Sequence, residues 1–393
     1  MATQLEGASR TPVNYPRVIG HFRGEQPGPM MLVVGGMHGN EPAGVLACRR
    51  ALDRLERVGT KRFRGDFVAV VGNMRALSRG VRFLHKDLNR QWTSEIVAHL
   101  RAGGASAAAE EIEQIELLDT IDSYDRQARG PLIFTDLHTS SAEGAPFVTI
   151  GDTLRNRSFA LNFPLPVILG LEEQIDGALL EYMNNQGHVT FGFEAGQHDN
   201  EESVRFKEAA LMLGFVFSGQ VDRDDLPAFD ELHQALDSAR RGVPRIVEVR
   251  YRHAIKDSDR FKMRPGFSNF DSVKKGQPLA DDVGGVIRAP MSGRILLPLY
   301  QGQGDDGFFI CRRVNPFWLR VSRWLRHMRV YRYVARLPGV AQHPERKGTL
   351  VVDTRWARFF PLQIFHLLGY RKLRRHGSLL LVTRRRFDRT IEF

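Results

Sequence analysis

The sequence predicts an α/β chain followed by a small all-β region and a basic extension. Three observations carry this. Short apolar runs end in glycine or a polar loop, stretches of helical spacing lie between them, and after about residue 220 the texture shifts to short strands punctuated by glycine and proline. MMLVVGG, residues 30–36, lies between Pro29 and a loop and reads as a buried strand. EPAGVLACRRALDRLE then has helical spacing, with Val45, Leu46, Leu52 and Leu55 on its apolar side. DFVAVVG (66–72), LIFTDL (132–137) and PVILG (166–170) repeat the strand pattern, and HVTFGFEAG (188–196) alternates like a half-buried strand. The clearest helix spans 107–129, where Ile112, Ile115, Leu118, Ile121 and Tyr124 recur every three residues. Such alternation implies a largely parallel sheet with ligand sites where strands end and loops begin. A polar helix over 224–241 leads into IVEVRYRHAIK and a run of short strands ending near Arg313, and from Asn315 the chain is rich in Arg and Trp. There is no internal repeat.

A length of 393 residues exceeds what one hydrophobic core usually organises. The shifts in texture divide the chain into 1–222, an α/β domain; 245–311, a small β domain; and 312–393, a basic aromatic-rich extension. The presence of only Cys48 and Cys311 argues against a disulfide scaffold and suits a reducing compartment. The first twenty residues hold no apolar core of signal-peptide length, and no stretch reaches the roughly 18 apolar residues of a membrane span. The expectation is a soluble, cytoplasmic protein. Its formal charge of +11 is unevenly placed: residues 312–393 carry 20 Lys+Arg against 4 Asp+Glu, which leaves 36 against 41 for the rest. Arguments from charge to a partner therefore concern the extension alone.

VVGGMHGNEPAG (33–44) sets His38 and Glu41 three positions apart where an apolar run breaks into glycines. Imidazole and carboxylate are zinc ligands, and a catalytic zinc site uses three protein ligands with one position open. Alone, the pair reads equally as a polar turn. FTDLHTSS offers His138 at the end of a second strand, with Asp136 on the same face as a partner for its other ring nitrogen or as a solvated strand-end carboxylate. FGFEAGQH places Glu194 at the end of an otherwise apolar strand, where a carboxylate is unfavourable without a partner or a task. GNMRALSRGVRFLHKDLNR (72–90) clusters Asn73, Arg82, Asp87, Asn89 and Arg90, groups suited to holding a carboxylate or simply to solvation.

Together these four segments resemble the aspartoacylase and succinylglutamate desuccinylase family, a branch of the zinc-carboxypeptidase-like fold. The resemblance covers roughly residues 30–311, with the motifs in family order. It implies a mixed sheet with flanking helices, a β domain covering the site mouth, and Zn2+ held by His38, Glu41 and His138. It implies that Asn89 and Arg90 hold the substrate's α-carboxylate, that Arg82 polarises the scissile carbonyl, that Asp87 braces the loop, and that Glu194 is the catalytic glutamate. Tyr300 is the candidate for the tyrosine that the family's C-terminal domain contributes. His198 reads either as a support for the site or, more simply, as a solvent-facing histidine before a helix.

The implied activity is zinc-dependent hydrolysis of an amide in a small N-acylated amino acid or similar carboxylate. A carboxypeptidase acting on a peptide end is the alternative enzyme. A scaffold whose tail binds membrane or nucleic acid is the alternative from another class. On a helical projection of residues 317–335, Phe317, Val321, Trp324, Leu325, Met328 and Tyr331 share one side and Arg323, Arg326 and Arg329 the other. Such a helix suits an anionic membrane, or it packs its apolar face on the β domain. No recognisable motif supports nucleic-acid contact. GTLVVDT and GSLLLVTRRRFD read as strands, which makes the tail a folded appendage.

Overall fold

One mixed sheet runs through most of the protein. The computed structural model describes residues 15–104, 108–240, 242–346, 348–353, 355, 362–376 and 379–391. In chain order the first strands are β1 (Val18–Arg23), β2 (Gln26–Gly35), β3 (Arg64–Val71), β4 (Leu132–Ser140), β5 (Phe147–Thr149), β6 (Val167–Leu169), β7 (Val189–Gln197) and β8 (Ile246–Ala254). Then come β9 (Lys262–Met263), β10 (Ser272–Val273), β11 (Pro278–Asp282), β12 (Gly285–Arg288), β13 (Gly293–Leu296) and β14 (Asp306–Arg313). In space the large sheet has the order β1-β3-β2-β4-β7-β5-β6-β8-β14-β13-β10, and β12-β11-β9 form a separate small sheet. The central strands β3, β2, β4 and β7 are parallel, as the alternating texture implies, and so are β5, β6 and β8, whereas β1 against β3, β5 against β7 and the β8-β14-β13-β10 end pair antiparallel.

The centre of the sheet is buried on both faces, which explains its continuous apolar runs. Successive residues of β2 serve two cores. Met31 and Val33 join Phe67, Ile133 and Phe193 on one side, and Met30, Leu32 and Val34 join Val68, Val70 and Phe134 on the other. Helices Ala43–Val58 and Glu201–Phe217 cover the first face. Helix Ala109–Gln127 covers the second with Leu117, Leu118 and Ile121. Two expectations are corrected. HVTFGFEAG is not half-buried, because β7 lies between β4 and β5 with helices on both sides. Leu46 is 42% exposed, and the helix instead turns Ala47, Cys48, Ala51 and Leu55 inward; a Cβ at Gly35 would lie 2.7 Å from Gly44, so small residues are what let the helix start this close to the strand.

IVEVRYRHAIK, the segment that opens the β-rich region, is a strand of the main sheet: β8 pairs with β6 on one side and β14 on the other. The described residues of the basic extension are folded. Helix Pro316–His327 is capped by the Asn315 side chain and stops before Arg329, whose φ of 55° is left-handed, so it does not continue to 335. Strands β15 (Val340–Gln342), β16 (Thr349–Asp353), β17 (Tyr370–His376) and β18 (Leu379–Arg384) form a sheet around Val334, Leu350, Val352, Phe365 and Val382. Arg326, placed by the helical projection on the solvated side, is buried, because the Asp152 carboxylate lies beneath it at 3.1 Å. Residues 1–14, Ala107, Thr354, Gly377 and Ser378, on which parts of the sequence reading fall, lie outside the described residues. Among the described residues no helix is long and apolar enough to cross a membrane.

Candidate active site

Three adjacent parallel strands deliver the key side chains. In register Gly35 of β2 pairs with Leu137 of β4, and His138 pairs with Glu194 of β7, so the C-terminal ends of all three strands open at one place. Beyond Gly35 the chain turns through Gly36, at φ 68°, and Gly39, whose hydrogen points at the Ala76 backbone where a Cβ would sit 2.1 Å from the carbonyl carbon. That tight path leads to the turn in which the Glu41 amide donates to the His38 carbonyl at 3.1 Å, bringing both side chains to one side. The segment after β3 supplies Arg82 to Arg90 from the other flank of β2.

The ligand atoms of His38, Glu41 and His138 all lie within 4.8 Å of one another, and all three side chains are buried. Each imidazole presents Nδ1 to Glu41: His38 at 2.9 Å from Oε1 and His138 at 3.2 Å from Oε2. Their Nε2 atoms turn outward to carboxylates, His38 to Asp87 at 3.2 Å and His138 to Asp136 at 2.8 Å. This two-tier arrangement, with the inner nitrogens convergent and the outer ones fixed by carboxylates, is what holds imidazoles for a cation. Two nitrogens and a carboxylate suit zinc, so the residues present fit that metal. Burial pushes Glu41 up, but the charges and hydrogen bonds of His38 and His138 bring it well below the usual carboxylate range. At Asp87 burial is likewise outweighed by His38 and Arg82.

Glu194 behaves differently. Its Oε2 is buried without a partner, and burial pushes its carboxyl up to about 7, opposed by His138 and assisted by Glu41. Arg82 donates to Asp87 at 2.9 Å and stands 3.7 Å from Glu41. Arg90 donates to Asp306 of β14 at 2.9 Å, and the Asn89 carbonyl oxygen Oδ1 accepts from the Leu179 amide at 2.9 Å. His38, Glu41, Arg82, Asn89, Arg90, Asp136, His138 and Glu194 all line one cavity of about 150 Å3. The rest of its wall is mixed: Ile150, Leu171, Ile175, Leu180, Leu297 and Phe309 give apolar surface, while Thr149, Glu172, Asp305 and Asp306 are polar or charged.

The sequence-derived site residues are thus brought to this cavity or its immediate support, with two exceptions: Asn73 instead caps helix Met74–Arg79, its side chain accepting from the Ala76 amide, and Tyr300 lies outside. The Tyr300 hydroxyl is tied to the backbone of Arg264 and Phe267 and does not line the cavity. His198 is half-buried with both ring nitrogens bonded, and so is not simply a solvent-facing histidine: Nδ1 meets Thr139 Oγ1 at 2.7 Å and Nε2 meets Gln301 at 2.8 Å, linking the β4 end to the β-rich region. No sequence signal pointed to Lys207, which is fully buried on helix Glu201–Phe217. Its ammonium donates to the Ala195 carbonyl at 2.9 Å, and burial lowers it to about 7 beside Glu194.

An α/β sheet whose parallel strand ends gather two histidines, a glutamate and a buried carboxylate with one partnerless oxygen is an arrangement that could hold a metal ion beside a proton acceptor. Residues 27–218 match the family model "Succinylglutamate desuccinylase/Aspartoacylase catalytic domain", and this region of the chain belongs to that family. A curated N-acyl-aromatic-L-amino acid amidohydrolase (carboxylate-forming) of Xenopus laevis is 25% identical over 260 residues, 60% of this chain and 80% of the relative. Among solved structures, a succinylglutamate desuccinylase/aspartoacylase of Rhodobacter sphaeroides superposes with a TM-score of 0.53 at 18% identity, covering 75% of this chain and 88% of the other. A succinylglutamate desuccinylase of Silicibacter sp. gives 0.51 at 15%, covering 74% and 87%. These two likenesses establish the fold.

Proposed function

We propose that the protein is a zinc-dependent amidohydrolase that removes the acyl group from a small N-acylated amino acid. The observation that carries this reading is the convergence of both Nδ1 atoms on Glu41 in the same cavity as an unpartnered Glu194. His38, Glu41 and His138 would hold the zinc, which when bound supplies a Lewis acid and a more acidic water. Glu194, with a proton affinity set near neutrality, takes a proton from the attacking water and delivers it to the leaving nitrogen. Arg82, fixed by Asp87, offers a positive charge to the oxygen of the scissile carbonyl as negative charge develops there. Arg90 and Asn89 hold the free carboxylate, and Arg90 reaches it by exchanging the carboxylate of Asp306 for that of the substrate. The apolar side of the wall, Ile150, Leu171, Ile175, Leu180, Leu297 and Phe309, favours an apolar acyl group or side chain, in keeping with the activity of the Xenopus relative. A cavity of about 150 Å3, bounded by Leu297, Leu299 and Phe309, favours this over cleavage of a peptide end. Two free, buried cysteines support a reducing, cytoplasmic setting.

The test is release of free amine from a panel of N-acetyl, N-succinyl, N-formyl and N-aroyl amino acids, with and without a chelator. Activity should depend on about one zinc per chain, with the metal lost in His38→Ala. Full activity in rigorously metal-free protein would remove the proposal. Arg90→Ala should raise KM for free-carboxylate substrates by roughly 10- to 100-fold and leave amidated analogues no worse.

A further inference from the structure

The first helix of the basic extension is mounted with its polar side inward. Ser322 and Arg326 are its buried residues. The Ser322 hydroxyl donates to the Leu367 carbonyl at 2.8 Å and accepts from Arg157 at 3.1 Å. Arg326 reaches the Asp152 carbonyl at 3.0 Å, its carboxylate at 3.1 Å and the His366 carbonyl at 2.9 Å. Leu319 and Leu325 pack beside them against the two neighbouring cores. Half a turn around the cylinder stands the opposite set. Phe317, Val321, Trp324 and Met328 follow the i, i+4, i+7, i+11 spacing of a single helix face. Phe317 is 51% exposed, Trp324 61% and Met328 61%, and the neighbouring Trp318, 51% exposed, meets the Phe317 ring edge-on at 5.4 Å.

Large apolar side chains turned outward along one helix face, with arginine turned in, are the reverse of what folding alone selects. The charges around the strip indicate what covers it. Arg312, Arg313, Arg320, Arg323, Arg329 and Arg332 are exposed, and among the described residues none of them pairs with an acid. No Asp or Glu occurs in sequence between Asp306 and Glu345. A second copy docked face to face would set these arginines against their own equivalents, so self-association is disfavoured. A surface that combines hydrocarbon with anionic groups satisfies both halves of the patch: tryptophan and phenylalanine enter the headgroup–acyl boundary and arginines meet phosphates.

We propose that helix Pro316–His327 is an interfacial anchor that seats the protein on an anionic lipid surface through Phe317, Trp318, Trp324 and Met328, with Arg320 and Arg323 at the headgroups. The helix lies in the plane of the interface, held from behind by the Ser322 and Arg326 contacts. None of the residues assigned to the hydrolytic site takes part.

The experiment uses the full chain with vesicles of phosphatidylcholine alone or with about one-third phosphatidylglycerol. Flotation should recover the protein with the anionic vesicles, less so as salt rises from about 0.05 to 0.5 M, with a blue shift of tryptophan emission. Phe317→Ser combined with Trp324→Ser, and separately Arg320→Glu with Arg323→Glu, should each weaken binding by roughly tenfold or more. Both pairs are exposed, so melting temperature, zinc content and deacylation should stay unchanged, which separates this proposal from the hydrolytic one. Absence of binding to anionic vesicles, equal binding to neutral ones, or binding indifferent to the Phe317/Trp324 pair overturns it. So does a concentration-dependent dimer that the Trp324→Ser change dissociates, or retention of nucleic acid without retention of vesicles.

Discussion

Among the buried clusters of charge in the described residues, the one around Asp152 and the one around Glu41 are built to opposite rules. Around Asp152 every carboxylate oxygen is met by guanidinium: Arg157, Arg326 and Arg371 converge on it, and Arg326 also reaches Asp388. These partners come from positions 157, 326 and 371, so the cluster closes the extension onto the α/β body. Around His38, Glu41 and His138, by contrast, acceptors outnumber donors. Glu194 Oε2 and Asp136 Oδ1 have no partner, and two imidazole nitrogens share one carboxylate. A closed cluster holds two parts of the fold together, whereas an open one stores the need for a proton or a cation. Buried ionisable groups mark chemistry only where their partners are missing.

The contrast can be broken from either side. The largest effect is expected at the closed cluster. Asp152→Ala leaves three buried guanidiniums against one another and should cost about 3–5 kcal/mol in denaturant unfolding, with the extension becoming protease-sensitive first. At the open cluster, Glu194→Gln should lower kcat at least about 100-fold, a barrier increase near 2.7 kcal/mol, yet keep the metal and leave stability unchanged or higher, because an unpaired buried carboxylate is removed. A stability loss comparable with that of Asp152→Ala would place Glu194 among the structural charges.

Acid should act on the closed side of the comparison too. Glu248 of β8 lies under the extension, where burial alone would raise its carboxyl, but the hydrogen bond with His366 and the charges of Arg371 and Arg250 bring it to about 2. A carboxylate depressed in the fold contributes stability that is complete above its ordinary 4.5 and is lost as pH falls towards about 2. The contribution is roughly 2 kcal/mol after allowing for residual exposure. Glu248→Gln should therefore flatten the pH dependence of unfolding between those limits, measured by urea titration at fixed pH steps. The smallest effect belongs to a pair of equal geometry in water. Arg64 and Asp222 are joined by two hydrogen bonds, at 3.0 and 2.6 Å, but on the surface, and Asp222→Asn should leave the urea unfolding midpoint nearly unchanged.

The open cluster was far more legible in the sequence than the closed one. His38, His138 and Glu194 each interrupt or end an apolar run, and a polar side chain at a strand end is visible without knowing which strands are neighbours. The register that brings them together, β2 beside β4 beside β7, comes only from long-range pairing. Asp152 gives no such signal. It follows a glycine in an ordinary loop sequence, and its partners lie as far as 219 residues away. For the same reason a helical projection set Arg326 in solvent and Leu46 in the core: it ranks side chains by hydrophobicity and cannot register a carboxylate waiting beneath, or a strand too close for leucine. Lys207 was hidden likewise, as one lysine on an otherwise ordinary amphipathic helix.

The main sheet crosses, without interruption, the point at which the sequence divides body from β-rich region. Because β8 is hydrogen-bonded to β6 on one edge and β14 on the other, the strand that carries Asp306 and Phe309 to the cavity is wired into the same sheet as the strands that carry His138 and Glu194. A wall attached in this way cannot swing on a hinge without tearing a ladder of backbone bonds. Substrate traffic is then left to rotamer changes and short loops, such as the Leu297–Gly304 turn, which operate in nanoseconds to microseconds. On this architecture the tempo of the enzyme should be set by bond cleavage, and new substrate preferences should arise by exchanging single side chains along β14 rather than by loosening its attachment.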